Sequence, residues 1–268
     1  MATFNLPAYL DRISWDGPLG ATFPTLRGLM RAHMRAIPFE NLDVLLGRGI
    51  RVDLDSVFAK LVTARRGGYC FEHSTLLAAA LTHAGFAPVA HSARVVMITP
   101  RPSAPRTHMF LSVTLAGTTY VLDPGFGGHG PLVPVPLVEH RELREGPDVH
   151  RFVRHDGEWV LETSIGGTMT PLWMSTLEAE SPIDFVMANH FTCTWSESPF
   201  VNRLMLRALT PDGRVSVMNR DVTVLRGAAS EKRELADRTA LRELLVAHFG
   251  FDLPEAERLR VPTVAEWS

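Results

Sequence analysis

Cys70 is one of only two cysteines in the chain, and it lies in the run Arg66-Gly67-Gly68-Tyr69-Cys70-Phe71-Glu72. Two glycines precede it. An apolar helical pattern follows at once through Leu76, Leu77, Ala80 and Leu81, closed by Gly85. A cysteine at a glycine turn that opens a helix meets unpaired backbone N–H groups and a partial positive charge. Both favour the thiolate, so the sequence predicts a lowered thiol pKa and a nucleophile. Such a sulfur attacks thioesters and activated acyl groups, and it holds the acyl group as a covalent intermediate.

A nucleophile of this kind needs a base. His108 to Leu115 and Thr118 to Asp123 are strand-like runs joined at Ala116-Gly117. With a two-residue loop, Leu115 faces Thr118 and Asp123 faces Phe110. His108 is then the diagonal neighbour of Asp123 on one face, roughly 7–8 Å away by backbone and closer at the side-chain tips. A three-residue loop would put the pair on opposite faces. In the even register His108 takes the Cys70 proton, while Asp123 orients the ring and stabilises its charged form. One at a time, the three residues also fit plainer roles: a small buried cysteine, one structural histidine among 11, and an aspartate that starts the turn at Pro124-Gly125.

Gly125-Phe126-Gly127-Gly128-His129-Gly130 follows Asp123. Its glycines would let backbone N–H groups approach a phosphate or an oxyanion, or they simply make a tight turn. No Gly-Lys-Ser/Thr follows, so it is not a Walker loop, and no strand–helix context makes it a dinucleotide fingerprint. The histidines lack ligand spacing and no Cys-x-x-Cys or His-Glu-x-x-His occurs, so no metal site is expected. Cys193 is expected to be structural and unbridged. Arg203, Arg207 and Arg214 are expected to be solvated surface residues, with phosphate contact as the alternative.

The elements that must hold these residues read in a definite order. Residues 24–36 carry Leu26, Leu29, Met30 and Met34 at helical spacing, stopped by Pro38. Phe39 to Leu42 reads as a loop, and Asp55-Ser56 as the N-cap of a helix through Leu61 and Val62. The Cys70 helix follows. Strand signals then cover 89–97, the hairpin at 116–117, and a second hairpin from Arg151 to Glu162 over Asp156-Gly157. A short helix at 184–189, a linker at 196–199, a hairpin over Pro211-Asp212-Gly213 and a helix from Arg238 to Phe249 complete the chain. Helices followed by antiparallel strands make an α+β fold containing a barrel or sandwich.

Composition bounds the function. Of 268 residues, 46% are hydrophobic and 21% charged, which excludes a disordered chain. A formal net charge of -2 supplies no field for nucleic acid or an anionic membrane. No apolar run reaches spanning length and no leader pattern is present, so the expected compartment is cytoplasmic, where thiols stay reduced.

The Cys70 motif, Thr107-His108-Met109 and Asp123-Pro124-Gly125-Phe126-Gly127-Gly128 resemble the arylamine N-acetyltransferases. So do Ile37-Pro38-Phe39-Glu40-Asn41-Leu42, Pro171-Leu172-Trp173 and Asp184-Phe185-Val186-Met187-Ala188-Asn189-His190. The matches run in family order to about residue 200 and loosen beyond it. The resemblance implies an amino-terminal helical bundle (1–85), a central antiparallel β-barrel (86–197) and a carboxy-terminal α/β lid (198–268). It implies ping-pong transfer of acetyl from acetyl-CoA, a co-substrate with no cofactor permanently bound, to a small aromatic amine or hydrazine. The implied catalytic residues are Cys70, His108 and Asp123. The implied substrate-binding residues are Phe39, Tyr69, Phe126, Gly127 and Gly128, and the implied structural ion pair is Arg66 with Glu40. The protein would be a monomer or homodimer.

Four positions depart from the family pattern: Pro124 for valine, Ser74 for asparagine, Trp173 for tyrosine, and the unusual Trp195. None removes a catalytic residue, so they bear on substrate preference. The main competing reading is an amide synthase of the same fold that closes a macrolactam from a carrier-bound acyl chain. A cysteine hydrolase or transglutaminase-like enzyme and a non-catalytic binding protein are further alternatives.

Overall fold

The computed structural model describes residues 4–146, 148–227 and 229–268. Residues 6–83 hold helices α1 (Leu6–Arg12), α2 (Phe23–Ala36), α3 (Leu42–Leu45), α4 (Leu54–Phe58) and α5 (Cys70–His83), with a two-residue strand β1 (Phe39–Glu40) between α2 and α3. The expected loop at 39–42 is therefore strand and helix, because Phe39 and Glu40 find sheet partners far along the chain. α2 starts at the N-cap Thr22 and ends before Pro38, as its spacing predicts. α4 is capped two residues earlier than expected: Asp53 accepts from the Ser56 backbone N–H at 3.0 Å. It continues as a π-turn over Ala59–Thr63, which carries Lys60. α5 is buried on nearly every side. Leu76, Leu77, Ala80 and Leu81 pack with Tyr9, Leu26, Met30 and Leu61 into the helical core.

The second region is an eight-stranded antiparallel sheet. Its strands are β2 (Val89–Val95), β3 (Arg106–Leu115), β4 (Thr118–Leu122), β5 (Val135–Pro136), β6 (Leu143–Glu145), β7 (Asp148–His155), β8 (Glu158–Ile165) and β9 (Thr168–Ser175), in spatial order β5-β4-β3-β2-β9-β8-β7-β6. The β3–β4 loop has two residues. Leu115 pairs with Thr118, and Ala116 and Gly117 both take positive φ (47° and 80°), as a type I′ turn requires. β3 is a wall with both faces covered. Leu111 and Val113 join the helical core, whereas Phe110 joins Trp173, Phe152 and Leu161 in the barrel interior.

β5, β6 and β9 carry no clear strand signal. β9 contains Pro171, which is admitted at an irregularity where the register shifts between Leu161 and Glu162. The expected helix at 184–189 is longer, α6 (Pro182–Thr194), and the expected linker runs into α7 (Pro199–Asn202).

The rest of the chain builds a second antiparallel sheet from β10 (Met205–Thr210), β11 (Gly213–Met218), β12 (Asp221–Arg226) and β13 (Ala229–Glu234), covered by α8 (Arg238–Leu244) and a closing π-turn over Leu245–Phe249. Gly213 pairs with Thr210, so the β10–β11 loop is only Pro211-Asp212. One face of this sheet, with Leu206, Ala208, Val215, Val217, Val222 and Val224, packs on α8. β1 is its edge strand, with Phe39 opposite Arg207 and Glu40 opposite Leu206.

Candidate active site

Cys70 is the first residue of α5 and is 3% exposed. The turn before it is stitched to the β1 segment: Glu40 N–H donates to Gly68 O at 2.9 Å and Gly68 N–H to Pro38 O at 3.2 Å. A side chain at Gly67 would overlap Pro38 O, and one at Gly125 would overlap the Cys70 backbone. Glycine at these two positions lets the turn close on Pro38 and the 125–130 loop close on Cys70. Glu72 accepts from the Tyr69 N–H at 3.1 Å, satisfying one free donor of the helix end.

Beneath this turn lies a buried charge network. Arg66 Nη2 meets Glu40 Oε1 at 2.7 Å and Asp43 at 3.4 Å; Lys60 Nζ meets Glu72 at 2.8 Å, Asp43 at 3.0 Å and Glu40 at 3.7 Å. The Arg66–Glu40 pair is therefore part of a five-residue cluster. Lys60, Asp43 and Glu72 are the members that sequence reading missed, and Lys60 is the one that joins all three carboxylates. Its rarity was the available signal, since Lys60 and Lys232 are the only lysines in the chain. Burial pushes the Lys60 pKa down, but Glu40, Glu72 and Asp43 together outweigh it and raise the value.

The β3–β4 register brings His108 and Asp123 together. His108 Nε2 lies 2.9 Å from Asp123 Oδ2, and both side chains are buried. Nε2 is thereby committed to the carboxylate. Nδ1 is left free of the carboxylate, and Cys70 is near enough to be among the groups that raise the His108 pKa. Burial acts to lower the His108 pKa, yet the Asp123 charge and hydrogen bond, with Cys70, raise it to about 10. Trp173 Nε1 donates to the same Asp123 oxygen at 2.8 Å, a contact that no sequence pattern signalled. The Cys70 sulfur also lies 3.9 Å from Thr107 O.

The aromatic residues of the motif are not equally placed. Phe126 stands edge-on to His108 with ring centroids 5.3 Å apart. The Phe39 ring covers Gly127. Tyr69 is fully buried, donates to Asn189 Oδ1 on α6, and meets the edge of Phe200 at 5.4 Å. Gly127 is buried and Gly128 exposed. Ser74 donates to Met109 O at 3.0 Å, bracing α5 on β3. Trp195 lies apart from this cluster, stacked on Phe191 at 4.8 Å. Cys193 is a free thiol.

The three arginines diverge. Arg203 is exposed, and Arg214 pairs with Asp148 at 2.9 Å. Arg207, expected to be solvated, is 5% exposed and donates to Gly127 O. It lies on the sheet face opposite the α8 core, which the glycine loop covers.

No helix among the described residues is long and apolar enough to cross a membrane, and no group of three or more candidate metal ligands occurs among them.

A family profile described as N-acetyltransferase matches residues 22–258, well past the point where the motifs loosen. The arylamine N-acetyltransferase of Mycobacterium tuberculosis is 34% identical over 256 residues, covering 94% of this chain and 90% of that protein. The Escherichia coli arylamine N-acetyltransferase is 34% identical over 251 residues, covering 93% and 89%. The solved structure of Mycobacterium marinum arylamine N-acetyltransferase in complex with CoA superposes with a TM-score of 0.89 at 32% identity, covering 94% of each chain. With sequence and fold agreeing over nearly the whole length, the chain belongs to the arylamine N-acetyltransferase family and is an acyltransferase.

Proposed function

We propose that the protein transfers acetyl from acetyl-CoA to a small aromatic amine or hydrazine through a thioester on Cys70. The observation that carries this reading is the buried His108–Asp123 pair at 2.9 Å, with the Cys70 sulfur at the start of α5 lying 3.9 Å from the carbonyl of Thr107, next to His108. Cys70 passes its proton to His108 Nδ1, and its sulfur attacks the acetyl carbonyl. The tetrahedral intermediate collapses, the C–S bond to CoA breaks, and the imidazolium returns its proton to the departing thiolate. CoA leaves. The amine nitrogen then attacks the acetyl-Cys70 carbonyl and gives its proton to His108; the bond from the acetyl carbon to Sγ breaks, the imidazolium returns the proton to the sulfur, and the product departs as an amide. Asp123 holds the ring in one orientation and stabilises the imidazolium in both halves.

Phe39 and Phe126 are the aromatic walls next to this centre, and Gly127 and Gly128 offer backbone to the acyl donor. Tyr69 contributes by fixing α6 against the nucleophile turn. Incubation with acetyl-CoA and no amine should leave one acetyl group on Cys70, read by mass spectrometry of the digested protein. Acetyl found only on other residues, or none at all, overturns the reading. Cys70→Ala should retain the fold and lose turnover.

A further inference from the structure

Arg207 is a buried cation whose hydrogen bonds are only partly made. Nη1 donates to the Gly127 carbonyl, while Nε and Nη2 have no partner. Burial and the neighbouring Arg214 pull its pKa down to about 10, against the opposing charges of Asp148 and Asp123. Burying a guanidinium beside a second arginine is a costly way to brace a turn that a neutral donor could brace. A role tied to the reaction accounts for it.

The loop shows what that role is. Gly127 O also accepts from Gly130 N–H at 3.0 Å, so both lone pairs of this carbonyl are used and the 127–128 peptide plane is held. In a trans peptide the N–H points opposite to the C=O. The Gly128 N–H therefore points away from Arg207. It makes no hydrogen bond among the described residues, and Gly128 is exposed with open space where a side chain would stand. The plane is gripped from both sides of one cross-strand pair, since Phe39, the register partner of Arg207, lays its ring on Gly127.

We propose that Arg207 is a positioning residue for acyl transfer: locked on the Gly127 carbonyl, it turns the Gly128 N–H outward as a donor to a phosphate oxygen of the acyl donor. This rests on the acetyl-CoA reading above. It also connects the β10 sheet to the loop whose Gly125 packs on Cys70.

The test compares two acetyl donors, acetyl-CoA and the phosphate-free p-nitrophenyl acetate, in the wild type, Arg207→Met and Arg207→Lys. Methionine fills similar volume without donors. For Arg207→Met the KM for acetyl-CoA should rise about tenfold or more, the scale of losing one hydrogen bond to a charged group. The rate of Cys70 acetylation by p-nitrophenyl acetate should change less than about twofold, since the loop donor is not used. Arg207→Lys, which keeps the charge and one donor at reach, should recover part of the acetyl-CoA KM. An equal loss with both donors would show that Arg207 serves only the fold or the Cys70–His108 pair. Unchanged kinetics with both would remove any role. A wild type that neither donor acetylates on Cys70 would overturn the proposed function instead. A thermal melt of each variant separates misfolding from these outcomes.

Discussion

The indole N–H of Trp173 and the imidazole of His108 share one oxygen of Asp123, at 2.8 and 2.9 Å, while the other oxygen, Oδ1, is buried without a partner. The carboxylate is thus held from two directions. Trp173 stacks on Phe110, whose ring is parallel to His108, so the support for the imidazole is continuous through the barrel interior.

Trp173→Phe should therefore lower kcat/KM about tenfold or more, the scale of one lost hydrogen bond to a charged group. The side chain is fully buried, so some stability will also go. The informative measurement is the pH profile. With a freer carboxylate, the basic limb should move to lower pH. A lower rate with an unmoved profile would mean that Trp173 acts through packing alone.

The His108 value of about 10 gives the sign of that limb. The imidazolium formed when Cys70 gives up its proton persists through neutral pH, so the acetylation of Cys70 by acetyl-CoA should hold level to about pH 9 and fall as pH rises through 10. Asp123→Asn removes the chief raising cause, and its basic limb should lie at lower pH with a greatly reduced plateau. The raised value also means that His108 contributes stability below about pH 6.5, lost as pH climbs towards 10. An Asp123→Asn limb unchanged from the wild type would break the link between the carboxylate and the base.

Acid should act through a different pair. Tyr9 donates to His33 Nδ1 at 3.0 Å, His33 Nε2 lies 2.9 Å from His73 Nδ1, and His73 Nε2 donates to Pro38 O at 3.2 Å. The carbonyl end fixes the direction of the chain: His73 and His33 each donate through Nε2 and accept through Nδ1, so both are neutral. Burial is the chief cause that lowers both, His73 to about 4 and His33 well below its ordinary value. The unfolded chain binds more protons below pH 6.5, so stability present above that pH is lost as pH falls towards 4, with about 3 kcal/mol from His73 alone. Urea midpoints at pH 7 and pH 5 measure this. His73→Gln, which can donate and accept in the same places, should flatten the difference, and an undiminished slope would place the acid sensitivity elsewhere.

Lys60→Met should be among the most damaging single changes outside Cys70, His108 and Asp123. It leaves Glu40, Asp43 and Glu72 with Arg66 as their remaining buried cation, and breaking such a network typically costs about 3–5 kcal/mol. Adding Glu72→Gln removes one stranded charge yet keeps an oxygen to accept from Tyr69 N–H, so the double variant should be more stable than the single one by urea unfolding. A double variant no better than Lys60→Met would show that packing, not charge, matters there.

What could be read in advance was local. The Cys70 helix start follows from two glycines and a 3.6-residue period, and the His108–Asp123 pairing from a two-residue loop and strict alternation. What could not be read depended on which distant segments cover one another. β9 is hidden by Pro171, so Trp173 has no visible reason to meet Asp123. β13 has no alternation to detect, because Ala-Ser-Glu-Lys-Arg-Glu is exposed throughout. Alternation along β10 does place Arg207 opposite Leu206 and Ala208, which face the α8 core. It says nothing of the glycine loop that covers the guanidinium and turns an expected surface residue into a buried one.

The pairing of β1 with β10 has a consequence for biosynthesis. Phe39 and Glu40 leave the ribosome long before Leu206 and Arg207, and at about 5–20 residues per second their sheet partners follow roughly 10–30 s later. Through that interval the segment before Cys70 has an open strand edge, and the glycine loop lacks its arginine. The nascent chain can thus bring Cys70, His108 and Asp123 together well before Arg207 reaches the glycine loop, which waits on the last quarter of the protein.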